Sequence, residues 1–384
     1  MTSPPWLIVT GDFTPLGGMD RANYALASYL AGREGAEVHL VAHRVWPDLA
    51  AQASVQVHHA FRPKGSHLLG IPFLSSLGRT WAGRLSRRGG RVVVNGGNCQ
   101  WGDVNWVHYV HAAWTPDSSG TSTRLRRLKG SLHAAYSLRS ERKALQSARV
   151  IVANSDRTRA DLITKFNIPA ERVHTVYYGS DPDRFGLITP HERNAAKTQF
   201  GWLDDRLTVA FVGALGDHRK GFDTLFNAWK LLNADPSWQG RLVVAGAGAS
   251  LPYWRTRAAL EGLGDCIEFL GFRDDVAKLL AACDLLVSPT RYEAYGLNVQ
   301  EALCRGLPAI VSATAGVAER YPKSLSCLLL PDPNDTADLA ERLRSWNQNH
   351  ESIHSLVGPL GQSLRERTWS DCAAEFVAIV ERPD

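Results

Sequence analysis

Glu293 and Glu301 stand eight residues apart in the segment Ser-Pro-Thr-Arg-Tyr-Glu-Ala-Tyr-Gly-Leu-Asn-Val-Gln-Glu-Ala, directly after the apolar run Leu285-Leu286-Val287. The run, closed by Ser288-Pro289, predicts a buried strand, and residues 297–305, with Gly306 and Pro308 behind them, predict a helix with its stop signal. Such a helix opens after Gly296 with free amide N–H groups and a positive dipole end, an anion site suited to phosphate. Carboxylates do not hold phosphate, but they accept hydrogen bonds from hydroxyls. Glu293 in the loop and Glu301 in the first turns therefore point to a ligand carrying both phosphates and sugars. A second loop supplies cations. Arg219 and Lys220, in Gly-Asp-His-Arg-Lys-Gly-Phe-Asp, lie between a strand-like run at 209–213 and a helix starting near Thr224. A planar fork beside a point charge suits a diphosphate.

Positioning these loops takes strands and helices in alternation, and the chain shows them along nearly its whole length. Strands are predicted at 7–10, 38–41, 55–58, 92–95, 106–110 and 150–153, then at 207–212, 241–245, 267–270, 285–288 and 309–312, with helical segments between most of them. That is the pattern of parallel sheets covered by helices. At 384 residues the chain exceeds one ordinary core, so two domains facing across a cleft are expected: 1–178 and 179–369, with 370–384 as a helix crossing back to the first. The break falls at Gly-Ser-Asp-Pro-Asp, residues 179–183.

Composition narrows the class. Hydrophobic residues at 44% and charged residues at 21% describe a globular protein with no run long enough to span a membrane, and the first residues read as a strand rather than a signal peptide. The six cysteines are scattered without a Cys-x-x-Cys pair, which fits reduced thiols in a cytoplasm. Charge is uneven. Residues 1–175 carry 22 Lys and Arg against 11 Asp and Glu, a net of +11, and the remainder carries 21 against 27, a net of −6. Much of the excess lies at Arg79, Arg84, Arg87, Arg88 and Arg91, and again from Arg124 to Arg149, where Glu141 is the only acid. Leucines interleave the second run, so helices with an apolar stripe and a basic face are expected; they could rest on anionic lipid or simply face water. No nucleic-acid motif accompanies the charge.

The stretch from Asp284 to Val311 resembles the Glu-x7-Glu signature of the retaining glycosyltransferases of family 4, which have the GT-B fold of two Rossmann-like domains. The resemblance implies that Glu301 holds a nucleotide ribose and that Glu293 lies by the donor sugar and phosphates. It gives the diphosphate to the backbone amides of Tyr295, Gly296, Leu297 and Asn298. Lys220 matches the family's Lys-Gly-x-Asp lysine, which contacts the diphosphate. Many members carry an arginine directly after the strand glycine, Gly213; here that position is Ala214, and Arg219 is the expected replacement. Gly246 falls in the glycine-rich turn beside the nucleotide. The backbone groups of Phe272 and Arg273 would read the base. In the first domain Gly17 and Gly18 form the glycine loop facing the donor. Of the two histidines at the end of an apolar strand, His111 is assigned to the donor sugar and reaction centre, and His108 to structure.

The implied activity is that of a metal-independent, retaining hexosyltransferase. It would move a sugar from a nucleotide diphosphate, UDP or GDP more than ADP, to a hydroxyl of a glycan, glycolipid or cell-envelope polysaccharide precursor, with no further cofactor. His111, Arg219, Lys220 and Glu293 would be its catalytic groups. Asp181-Pro-Asp183 has the form of a metal-binding Asp-x-Asp but occupies the interdomain loop, where it reads as turn chemistry. Two other classes remain, a GT-B sugar-nucleotide epimerase and a non-catalytic scaffold that keeps the nucleotide site. The expected location is cytoplasmic, peripheral on the inner face of a membrane if the basic face binds lipid.

Overall fold

Strands such as Trp6–Val9, Val150–Ala153, Leu285–Ser288 and Ala309–Ser312 are apolar runs without alternation, and every residue in them is buried. Only a sheet covered on both faces asks for that pattern. In the computed structural model, which describes residues 4–114 and 137–382, these strands build two parallel sheets in two compact units. One unit is Met1–Gly179 together with Trp369–Asp384, and the other is Ser180–Thr368.

The first sheet has seven strands, in the spatial order Val55–His59, Val38–Ala42, Trp6–Val9, Arg91–Val94, Val104–Val107, Val150–Ala153 and Val173–Thr175. The second has six: Ile267–Gly271, Arg241–Ala245, Thr208–Val212, Leu285–Ser288, Ala309–Ser312 and Leu329–Leu330. Counted along the chain, both begin 3-2-1-4-5-6, the doubly wound order of Rossmann-like domains. Both therefore reverse direction between their first and fourth strands, and ligands of such sheets bind at the carboxyl ends on either side of that reversal.

The last helix, Trp369–Val380, belongs to the first unit. It packs along helix Met19–Ala31 and lays Phe376 against Trp106, ring centroids 4.7 Å apart. In the second unit the incoming and outgoing chain lie side by side, since Ser180 N–H donates to Arg367 O at 2.8 Å and Ser180 bridges to Thr368. Asp181 accepts the Arg184 N–H, so the Asp-x-Asp segment does close a turn.

One strand is shorter than expected. The run predicted at 106–110 is a strand only over Val104–Val107, because its partner Val150–Ala153 ends opposite Val107 and turns at Asn154 into the cap of the next helix. With no ladder beyond that point, the chain after Val107 is released into a loop and a single 3-10 turn, His111–Ala113. The part of the expected basic, leucine-striped run from 124 to 136 lies outside the described residues; of its leucines beyond that, Leu145 is buried and Leu138 is exposed. All six cysteines are free thiols, four of them buried.

Candidate functional site

The second unit's reversal point is where the two chemistry-bearing loops meet. One leaves strand Thr208–Val212 and carries Arg219 and Lys220; the other leaves Leu285–Ser288 and carries Glu293. Lys220 Nζ lies 2.6 Å from Glu293 Oε2, and Arg219 lies 3.5 Å from the same oxygen. Arg219 also donates to Tyr292 O at 3.0 Å and to Asp217 Oδ2 at 3.0 Å, which fixes the plane of its guanidinium. Glu293 thus acts as the anchor to which both cations are drawn, although it is 73 residues away from Lys220 in the chain.

A further pair ties the loops together, and it escaped the sequence reading. Arg291 takes Asp223 through two parallel bonds of 2.8 and 2.7 Å, while its backbone N–H donates to Arg219 O at 2.8 Å. Bidentate carboxylate pairs fix orientation as well as distance. Asp223 is the final residue of the Lys-Gly-x-Asp segment, so the only available signal was a conspicuous arginine two residues before Glu293.

Glycines hold the loops at backbone contact. Gly221 has φ +69°, and a Cβ there would sit 1.8 Å from Pro289 O. Gly246 would place a Cβ 1.8 Å from Gly213 O, and Gly248, at φ +156°, would place one 1.5 Å from Leu215 O. Hydrogen bonds from Gly213 N–H to Ala245 O (3.0 Å) and from Gly246 N–H to Gly271 O (2.7 Å) complete a floor of main chain across the strand ends. Gly296, at φ +112°, starts helix Leu297–Cys304, and the Asn298 side chain donates to Val212 O at 3.0 Å, aiming that helix end at the floor. Tyr295 is buried beside it. Glu301 sits on the same helix, half-buried. Phe272 is largely exposed after strand Ile267–Gly271, and the Arg273 side chain is held by Asp275 at 2.7 and 2.5 Å. The structure therefore gathers Gly213, Arg219, Lys220, Gly246, Glu293, Gly296 and Asn298 at one end of one sheet.

In the first unit, Gly17 (φ +82°) and Gly18 precede helix Met19–Ala31, and a Cβ on either would meet nothing within 4 Å. The two histidines part company. His108 is half-buried, bonded to Tyr178 Oη at 2.5 Å, and the surrounding protein, by desolvating the ring, pushes its imidazole down to about 3. His111 is about half exposed, and Glu141, fully buried, holds it from behind: a carboxylate oxygen lies 3.2 Å from His111 Nδ1, and both oxygens accept the His111 N–H. Such a carboxylate fixes the ring's orientation and leaves Nε2 as the outward nitrogen. Glu141 also escaped the sequence reading, although it stood out as the lone acid in a basic run.

His108 gives a pH prediction. Its folded pKa lies below the ordinary 6.5, so the folded state resists protonation. Its contribution to stability is complete above pH 6.5 and is lost as pH falls towards 3. His58, pushed down to about 4 by burial and the neighbouring His39, acts in the same sense. The melting temperature should fall as pH drops from 6.5, and His108→Gln should flatten part of that fall; identical slopes in the two proteins would remove His108 as a cause.

Two Rossmann-like units, the second with a cation and carboxylate pair at its reversal point, define the GT-B class of architecture. Known proteins agree. Residues 206–349 match the family described as Glycosyl transferases group 1, and residues 16–184 match Glycosyltransferase Family 4. The chain belongs to the family 4 glycosyltransferases. Among curated relatives, the D-inositol 3-phosphate glycosyltransferase of a Nocardioides species is 26% identical over 258 residues, 63% of this chain and 55% of that protein. The chain spans about half the length of the curated relatives it matches. Among solved structures, the sucrose-phosphate synthase of Thermosynechococcus elongatus superposes with a TM-score of 0.75 at 19% identity, covering 98% of both chains. The Anabaena protein HepE, in complex with UDP and glucose, does so with 0.69 at 18% identity, covering 99% of this chain and 100% of that one.

Proposed function

We propose that the chain is a retaining, metal-independent hexosyltransferase that takes a sugar from a nucleotide diphosphate, UDP or GDP before ADP, and passes it to a hydroxyl of a glycan, glycolipid or cell-envelope polysaccharide precursor. The observation that carries this reading is the meeting of Lys220, Arg219 and Glu293 at the carboxyl end of the second sheet, beside the helix end at Gly296. As the sugar leaves, negative charge grows on the diphosphate. Preorganised cations and a helix N-terminus stabilise charge that develops in the transition state, which is the largest single source of catalysis in many enzymes. These groups do electrostatically what a metal ion does elsewhere, so activity should persist in a chelator.

Glu301 accepts hydrogen bonds from the ribose, the amides of Tyr295, Gly296, Leu297 and Asn298 take phosphate oxygens, and the backbone at Phe272 and Arg273 reads the base. Glu293 serves the donor sugar as well as its cations. In the first unit, Gly17 and Gly18 provide a loop that a ligand can approach without meeting side chains, and His111, steadied by Glu141, is assigned to the sugar and reaction centre. The leaving diphosphate oxygen acts as base for the incoming hydroxyl, which places the new bond on the face just vacated. Solution of HepE with UDP and glucose, and the naming of several relatives as glycosyltransferases, support a sugar nucleotide as donor.

A thermal-shift screen over UDP-, GDP- and ADP-sugars tests the reading, since a ligand that binds only the folded state raises the melting temperature by mass action; at a hundred times Kd the gain is about 2.7 kcal/mol. One nucleotide series should stand out, and the anomeric configuration of the product formed from it should equal that of the donor. Absence of a shift with every sugar nucleotide would overturn the assignment, and an inverted product would overturn retention.

A further inference from the structure

Helix His67–Ser86 has one satisfied face. Leu74, Ala82 and Leu85 are buried with Val9, Val92 and Val94 of the first sheet, and Gly78 lies so close that a Cβ would stand 2.8 Å from Val9 Cγ1. The exposed side of its first turns is apolar, where a protein surface is ordinarily polar. Leu68, Leu69 and Phe73 are 49%, 53% and 47% exposed, and Phe61, from the loop before the helix, is 65% exposed and meets Phe73 edge-on with ring centroids 5.5 Å apart. Four large side chains in one patch call for a cover.

The charge around the patch indicates which cover. From Leu49 to Gly102 the sequence carries seven Lys and Arg and no Asp or Glu. Of these, Arg62 is held by Asp12 at 3.0 Å and Arg88 by Glu37 at 2.6 Å. Lys64 is exposed in the loop beside Phe61, and Arg79, Arg84 and Arg87 are exposed along and just beyond the later turns of the helix. The element is therefore apolar at its start and cationic further on, with long flexible cations strung out rather than gathered round a pocket. An apolar prow with a basic flank matches the boundary of an anionic bilayer, where side chains enter the acyl region and cations stay among the headgroups. No helix among the described residues is long and apolar enough to cross a membrane, so the contact is one of seating on the surface.

We propose that Phe61, Leu68, Leu69 and Phe73 seat the first unit on an anionic lipid bilayer, with Lys64, Arg79 and Arg84 on the headgroups. The cationic half of the surface comes from the arginine run at 79–91, and the apolar half from residues 61–73. The inference stands on the first unit alone and holds whatever the donor. It would also bring a lipid-linked acceptor within reach.

Flotation of the full chain with vesicles tests it, using phosphatidylcholine alone and phosphatidylcholine mixed with an equal part of phosphatidylglycerol. The chain should float with the mixed vesicles only, less so as salt is raised. Leu69→Ser with Phe73→Ser should cut partitioning at least about tenfold, given what two such side chains gain on leaving water. Arg79→Glu with Arg84→Glu should remove the preference for anionic lipid. Phe73→Trp gives a readout independent of how the double variants fold, since its emission should move to the blue on mixed vesicles. Undiminished flotation of the double-serine variant would overturn the proposal. So would failure of the chain to float, or a blue shift that follows protein concentration without vesicles, which would make a second copy the cover.

Discussion

Lys220→Ala is expected to lower kcat/KM for sugar transfer by about a thousandfold, the scale of losing one preorganised donor to a developing negative charge. The melting temperature should move by no more than about 2 °C. That second half needs argument, because removing one partner of a buried ion pair is ordinarily costly. Here Lys220 and Glu293 keep 19% and 16% of their side-chain surface in water, and Glu293 retains Arg219 at 3.5 Å. The carboxylate left behind is therefore neither dry nor alone, and the electrostatic loss is confined to the diphosphate. Lys220→Arg keeps the charge but changes its shape, and should recover part of the rate. Single-turnover measurements on a saturating donor separate the outcomes: full activity in Lys220→Ala would end the diphosphate assignment, and a large fall in melting temperature would show that the pair holds the fold instead.

Gly221→Ala is expected to cost about 3 kcal/mol of stability and to abolish donor binding, summing the usual penalty of a left-handed alanine with that of an overpacked contact. The two sources are separable at other glycines. Gly17 has a similar φ of +82° but open space around its Cβ, so Gly17→Ala should cost about 1 kcal/mol from the backbone alone. At Gly221 the added methyl would collide with Pro289 O, 1.8 Å away. Relief requires the Arg219-Lys220 loop to lift off the Ser288-Pro289 turn, which pulls Lys220 from Glu293 and strains the Arg291–Asp223 bonds. Denaturant titration of both variants gives the two numbers; equal costs would show that the contact is not felt.

What could be read in advance was local. Strand and helix alternation, the Lys220 loop and the Glu293 to Glu301 segment each occupy a few consecutive residues, and their chemistry is carried by spacing along the chain. The bond between Lys220 and Glu293 was a step removed, because it depends on the first and fourth strands being neighbours, and strand order is decided by crossovers rather than by any strand's own residues. Glu141 is 30 residues from His111 and Arg291 is 68 from Asp223; nothing in either neighbourhood names the partner. The strand predicted at 106–110 ends early for a related reason, since where a strand stops is fixed by where its neighbour turns away. Exposure of Phe61 and Phe73 was hidden too, as a leucine-rich helix reads equally well as core.

The floor across the strand ends of the second unit is built from Gly221, Gly246 and Gly248 lying against the peptide carbonyls of Pro289, Gly213 and Leu215, so its shape belongs largely to main chain rather than to side chains. A surface of that kind places few demands on the rest of the alphabet. Ancestral drift can replace nearly everything around it, provided that a handful of hydrogen-for-methyl exclusions persist, and the architecture will outlast recognisable ancestry.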